Sequence, residues 1–208
     1  MFITLEGPEG SGKSMQIREL ADFIRQRGFE VFTTREPGGT FIGDQIREVI
    51  MRMDNTMMHP NTEILLFCAA RAQIVTEVIR PNLDKGVVVI SDRYGDSTLA
   101  YQGYGHGLDR IVLKEILKFA TGGLTPDLTL LLDVDVDEGL NRKIKNGSEW
   151  NRLDAQKVEF HKRVRDGYLE MAKAEPVRWR LINASNDPQK VQHDIREVIS
   201  AKLESVKL

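Results

Sequence analysis

A chain of 208 residues, 41% hydrophobic and 29% charged, is long enough to bury one good core and offers no reason to count two domains. Its 29 basic and 31 acidic residues give a net charge of −2, which excludes a surface built to coat nucleic acid. One cysteine, Cys68, rules out an intramolecular disulfide or a multi-cysteine metal site.

The N-terminal MFITLEG carries no charged leader followed by a long apolar stretch, and no apolar run approaches the ~18 residues of a membrane span. A cytoplasmic protein with no membrane partner is expected. Phe2–Glu6 reads as the first strand. The next eight residues, Gly7-Pro8-Glu9-Gly10-Ser11-Gly12-Lys13-Ser14, satisfy G-x-x-x-x-G-K-[ST] in full, and a helix begins near Lys13. Strand, glycine-rich loop and helix in that order form a phosphate-binding site. Glycines let backbone N–H groups converge on phosphate oxygens, and the helix N-terminus adds partial positive charge. Lys13 supplies a mobile cation for the β and γ phosphates and Ser14 a hydroxyl for Mg²⁺. The whole loop, Gly7 to Ser14, is therefore assigned to ATP.

Ile17, Leu20, Ala21 and Ile24 keep a helical period that Gly28 would end. Val31–Thr34 is the second strand. Arg35 follows it, at the strand end where ligands of a parallel sheet bind. Ile64–Ile79 is apolar nearly all round, which predicts a helix buried by its neighbours. Cys68 lies within it and reads as a small buried thiol. On such a helix Phe67 and Arg71 are i, i+4 neighbours on one face. They suit a base-gripping pair, and equally a core ring beside a structural ion-pair partner.

Val87–Ser91 has no polar face, as a strand buried on both sides requires. Asp92 ends it, where a carboxylate acts near the metal of a P-loop protein, and Arg93 follows. Thr98 and Gln102 are four apart and uncharged, as a pyrimidine edge needs. Leu128–Val134 is a fourth strand, whose Asp133 is expected to be mostly structural, orienting the loop near Ser14. The basic segment from Asn141 to Asp154 precedes a helical stripe of Phe160, Val164, Tyr168 and Met171. Trp179–Asn183 is the fifth strand, and Val191, Ile195, Val198 and Ile199 close the chain as a helix. Strands alternating with helices predict an α/β fold with a parallel sheet covered on both faces.

Several segments resemble the bacterial thymidylate kinases in order and spacing: the phosphate loop, Thr34-Arg35-Glu36-Pro37-Gly38-Gly39-Thr40, Phe67-Cys68-Ala69-Ala70-Arg71, Asp92-Arg93-Tyr94, Ser97 to Gly103, and Pro126-Asp127-Leu128-Thr129. The similarity spans almost the whole chain. It implies a P-loop nucleoside-monophosphate kinase fold in one domain, residues 1–208, with a five-stranded parallel sheet, a lid over roughly 141–154, and a homodimer. The implied reaction converts ATP and dTMP to ADP and dTDP with Mg²⁺. By the same resemblance Phe67 stacks on thymine, Arg71 holds its edge with Thr98 and Gln102, and Tyr101 lies under the deoxyribose. Glu9 meets the 3′-hydroxyl, and Arg35 and Arg93 hold the acceptor phosphate.

One branch of the family carries a catalytic arginine in the phosphate loop, where this chain has Gly10. The charge must then come from the lid, where Arg142, Lys143, Lys145 and Arg152 bracket a flexible Asn146-Gly147-Ser148, yet the positions nearest its glycine read Ile144, Lys145 and Asn146. Arg152, supported by Lys145, is expected at the phosphoryl group, and Arg142 against the adenine. Two rival readings remain. Another P-loop kinase would act on a different deoxynucleotide or on a nucleoside, and a guanine-specific switch would carry an Asn-Lys-x-Asp motif, which is missing.

Overall fold

The computed structural model describes residues 1–147 and 150–206. Five parallel strands form one sheet: β1 (Phe2–Glu6), β2 (Val31–Arg35), β3 (Val88–Asp92), β4 (Leu128–Asp133) and β5 (Trp179–Asn183), in the order β2-β3-β1-β4-β5. Each strand lies within one or two residues of its predicted span. β1, β3 and β4 are buried along nearly their whole length, which is why their runs read as continuous apolar segments rather than alternating ones. Helices cover both faces: α1 (Lys13–Arg25), α2 (Phe41–Met51), α3 (Pro60–Ile74), α4 (Arg80–Asp84), α5 (Gly95–Thr98), α6 (Arg110–Thr121), α7 (Val136–Lys145), α8 (Val158–Ala174) and α9 (Pro188–Val206).

Strand order decides where a ligand can sit. From β1 the chain crosses by α1 to β2 at one edge, and from β3 it crosses to β4 on the far side of β1. The crevice at the carboxyl ends of β1 and β3 lies at that change of direction, where open parallel sheets bind ligands. Register sharpens the point. Leu5 pairs with Asp92 and Arg35 also pairs with Asp92, so Arg35 and Asp92 end level with Leu5, and Glu6 lies one residue beyond.

The predicted helix Ile64–Ile79 is neither uniform nor buried all round. It comprises the end of α3 and a wide π-helical turn, Val75–Ile79. Ile64, Phe67, Cys68 and Ile74 are buried, but Leu65 is 61% exposed. An apolar circumference thus exceeds what this chain alone covers. Burial also pushes the Cys68 thiol upward in pKa, consistent with a packing role. A second π-helical turn, Leu99–Gly105, follows α5; such turns recur at functional sites because they re-aim side chains. No helix among the described residues is long and apolar enough to cross a membrane.

Candidate active site

The phosphate loop takes its shape from three left-handed glycines. Gly7, Gly10 and Gly12 have φ of 141°, 70° and 86°, a region that residues with a Cβ enter only at a cost. Gly12 stands at the N-cap of α1, and no side chain caps that helix end. Its first N–H groups are therefore disposed toward an anion. Lys13 Nζ donates to the carbonyls of Gly7 (3.0 Å) and Pro8 (2.9 Å) and to Ser11 Oγ (3.2 Å). Burial first, and then the Arg93 charge, lower the Lys13 ammonium to about 8, against the pull of Glu9, Asp92 and Glu6. An incoming phosphate would reverse that shift. Ser14 Oγ donates to Asp92 Oδ2 at 2.7 Å, which sets a hydroxyl beside a carboxylate between β1 and β3.

Arg93 is the hub of the opposite side. It is the one non-glycine residue at positive φ (70°) among those described, and this backbone turns its side chain back over the crevice. Its guanidinium donates to Glu9 Oε1 (2.8 Å), the Tyr101 hydroxyl (2.9 Å), the Tyr168 hydroxyl (3.0 Å) and Ser97 Oγ (3.3 Å). The Tyr101 hydroxyl also donates to Glu9 at 2.8 Å. Glu9 thus points away from the amides of its own loop and toward Arg93. Burial would raise its carboxyl, but Arg93, Lys13 and Lys143, with the Tyr101 hydrogen bond, hold it down at about 2. Behind this layer sits Glu6, fully buried. It accepts from Tyr94 N (2.8 Å), Ser97 Oγ (2.6 Å) and the Tyr168 hydroxyl (2.9 Å).

These groups border one cleft of about 1000 Å³, whose walls include Glu9, Gly10, Gly12, Lys13, Ser14 and Asp92 on one side and Arg35, Phe67, Arg93, Thr98, Tyr101 and Gln102 on the other. Arg35 is half-exposed and reaches Asp44 at 3.3 Å, a loose pairing that leaves it able to turn to a ligand. Gln102 Nε2 donates to Glu63 Oε1 at 2.7 Å. Burial would raise the Glu63 carboxyl, but hydrogen bonds from His106, Gln102 and Arg152 and the Arg152 charge lower it. An ionised carboxylate only accepts. It therefore fixes the Gln102 amide nitrogen inward and leaves the amide oxygen as the group Gln102 can offer a ligand.

Four of the expected residues have surroundings other than those the sequence suggested. Arg71 does not face the cleft. It is 1% exposed, donating to Glu36 Oε2 (2.7 Å), Thr98 Oγ1 (3.0 Å) and the Tyr94 carbonyl (3.0 Å). It supports the wall from behind, because a buried carboxylate captures a buried guanidinium. Arg152, expected at the phosphoryl group, is likewise buried, paired with Glu63 and donating to the Ile50 carbonyl at 3.1 Å. Lys145 is exposed at the end of α7 and does not border the cleft. Asp133 accepts a two-pronged bond from Arg165 (2.7 and 2.9 Å); it is structural as expected, but its partner is α8 rather than the loop near Ser14.

Arg142 is anchored to the Ala184 carbonyl (2.7 Å), the Ser185 carbonyl (3.5 Å) and Glu138, placing it where β5 leaves the sheet. Of the expected flexible stretch Asn146-Gly147-Ser148, Ser148 lies outside the described residues. The sequence reading gave no site role to Glu36, Glu63 or Tyr168, and it counted Lys143 among the lid cations without choosing it for the phosphoryl group. Glu36 sat inside a quoted motif, but nothing local marked it as the partner of Arg71.

A loop that cradles a triphosphate, facing arginines across a cleft with an aromatic and amide wall, defines a P-loop kinase acting on a small phosphorylated acceptor. The thymidylate kinase family model matches residues 5–195. The thymidylate kinase of Roseiflexus sp. (strain RS-1) is 48% identical, over 99% of this chain and 96% of that protein. That of Herpetosiphon aurantiacus is 46% identical over 100% and 98%. The crystal structure of thymidylate kinase from Ehrlichia chaffeensis superposes with a TM-score of 0.78 at 32% identity, covering 96% of this chain and 98% of that one. The chain belongs to the thymidylate kinase family, and its reaction is the ATP-dependent phosphorylation of dTMP to dTDP.

Proposed function

We propose that ATP lies along Gly7–Ser14 with Lys13 at its terminal phosphates, and that dTMP enters opposite. Its phosphate meets Arg35 and Arg93, its sugar Tyr101 and Glu9, and its base Phe67, Thr98 and Gln102. The observation that carries this reading is the single cleft bordered by both Lys13 and the Arg35–Arg93 pair. Guanidinium groups suit bidentate phosphate contacts, and the acceptor phosphate is already ionised at neutral pH. The cleft therefore has to position and neutralise rather than deprotonate.

The amide oxygen of Gln102, held outward by Glu63, suits a base with a ring N3–H, which thymine and uracil have and cytosine lacks. The Tyr101 ring, fixed through its hydroxyl by Glu9 and Arg93, leaves a wall that favours a deoxyribose. Arg71 acts on this wall through Thr98. Ser14 and Asp92 form an all-oxygen pair that fits Mg²⁺. Bound with ATP, the ion would neutralise charge on the donor phosphates.

The protein works as a homodimer in this reading. Adjacent helices α2, α3 and α6 leave Phe41, Leu65, Ile111, Val112 and Phe119 exposed on their outer sides, and exposed apolar area of this kind seeks a partner. A cytoplasmic setting, where ATP is available, is part of the same proposal.

The test is a coupled ADP-release assay across dTMP, dUMP, dCMP, dGMP and UMP. dTMP should lead, with dCMP and the ribonucleotide UMP at least tenfold slower in kcat/KM; equal rates would overturn the acceptor assignment. Arg35→Ala and Arg93→Ala should each raise KM for dTMP far more than KM for ATP.

A further inference from the structure

Negative charge spreads over the equatorial oxygens of a phosphoryl group in transit, and enzymes of this class set a cation against it. The loop position open to an arginine elsewhere in the family is Gly10, and here it is sealed. A Cβ at Gly10 would collide with the carbonyl of Gly139 on α7, and one at Gly139 would collide with the carbonyl of Glu9. Two glycines thus let the backbone of α7 lie directly on the phosphate loop. Arg152 is committed to Glu63 and Ile50, and Lys145 stands outside the cleft.

Lys143 occupies the place these residues leave. It follows Gly139 by four residues, one helical turn on the same face, so the contact that seats α7 on the loop also aims Lys143 across it. Its side chain is largely buried and borders the cleft beside Glu9 and Gly10. Nζ lies 3.8 Å from Glu9 Oε2 and 2.6 Å from Asp154 Oδ2. Glu9 meets Arg93 through its other oxygen, so Lys143 stands on the seam between the loop and the acceptor arginines.

We propose that Lys143 is the catalytic cation that contacts the phosphoryl group as it passes from ATP to dTMP. Asp154 is its positioning residue. It is buried, accepts from Lys143 and from the Asn151 N–H (2.8 Å), and keeps its second oxygen, Oδ1, without a hydrogen-bond partner among the described residues. The lysine is thereby held at the cleft edge on a flexible four-carbon stem. A compact ammonium suits one non-bridging oxygen, where an arginine fork would span two. This assignment rests on the donor and acceptor placement proposed above.

The experiment compares the parent with Lys143→Met, Lys143→Arg, Asp154→Asn and the double variant Lys143→Met/Asp154→Asn. It records kcat and both KM values, dTMP and ATP binding by titration calorimetry, and the melting temperature. Lys143→Met should lower kcat by about 10²–10³-fold with each dissociation constant within about threefold, and Lys143→Arg should recover at least a tenth of the parent rate. The double variant decides between charge and packing. If Lys143 only neutralised Asp154, removing the carboxylate would restore the double variant to the kcat of Asp154→Asn, and the proposal falls. It falls equally if Lys143→Met keeps kcat within threefold of the parent. An error in the acceptor site would show separately, as dTMP binding unaltered by Arg35→Ala.

Discussion

Replacing Arg71 by alanine removes the cation from a pair in which both side chains are almost wholly shielded from solvent. Three hydrogen bonds go with it, to Glu36, Thr98 and the Tyr94 carbonyl. Glu36 Oε1 already has no partner, so the variant would strand a buried carboxylate with neither oxygen paired. Breaking such a pair from one side costs about 3–5 kcal/mol, a large part of the roughly 5–15 kcal/mol that holds a domain folded. For a chain of this size the melting temperature should drop by roughly 10 °C.

The loss should depend on pH with a definite sign. Burial raises the Glu36 carboxyl above its ordinary value, while the Arg71 charge and hydrogen bond pull it down. Without Arg71 it rises further. A carboxyl raised by folding contributes stability that is present in acid and lost as pH climbs through the folded value. The deficit of Arg71→Ala should therefore be smallest near pH 4 and largest at pH 8. Adding Glu36→Gln should recover part of the pH 8 loss, since no charge is then stranded. The assay is urea unfolding of the parent, single and double variants at both pH values. A single-variant loss under about 1 kcal/mol at pH 8, or a double variant weaker than the single, would refute the reasoning.

Glu6 offers a second titration. Burial and then the nearby Asp96 charge push its carboxyl up to about 7, against Arg93, Ser97 and Tyr168. Its protonated form therefore supports the fold below the ordinary carboxylate range, and that support fades as pH rises through about 7. Glu6→Gln should flatten the stability profile between roughly pH 5 and 7, by on the order of 2–3 kcal/mol; parallel profiles would contradict this. Arg152→Ala should lower the melting temperature by several degrees while kcat, measured well below that melt, stays within about tenfold, because its partners are Glu63 and a backbone carbonyl. A 10³-fold loss of kcat without a change in stability would return Arg152 to the phosphoryl group. Leu65→Arg should convert a dimer to a monomer by sedimentation, and an unaltered dimer would move the interface away from α3.

Much of the fold was legible because its determinants are local. Three core strands are continuous apolar runs, since a parallel sheet covered on both faces leaves them no polar side. The phosphate loop was legible for a related reason: eight consecutive residues contain its glycines, its lysine and its hydroxyl, and they shape one another. Asp92 and Arg93 could be placed at the cleft once they were seen to end a buried strand. Phe67, Thr98 and Gln102 were named from helical spacing and, with Tyr101, from the family resemblance, and all four border the one cleft.

What could not be read was the destination of each cation. Arg71, Lys143, Lys145 and Arg152 are all basic residues near plausible site segments, and nothing adjacent in the chain separates them. Their fates rest on pairings between distant residues: Glu36 lies 35 positions from Arg71 and Glu63 lies 89 from Arg152. A buried carboxylate holds whichever cation the fold delivers to it, and that delivery depends on how α3, α7 and α8 stack against the sheet. Sequence by itself determined the phosphate-loop motif and the strand ends that carry it and its facing arginines. Tertiary structure alone decided which charges stay available to meet them, because ion pairing acts through space while the motifs run along the chain.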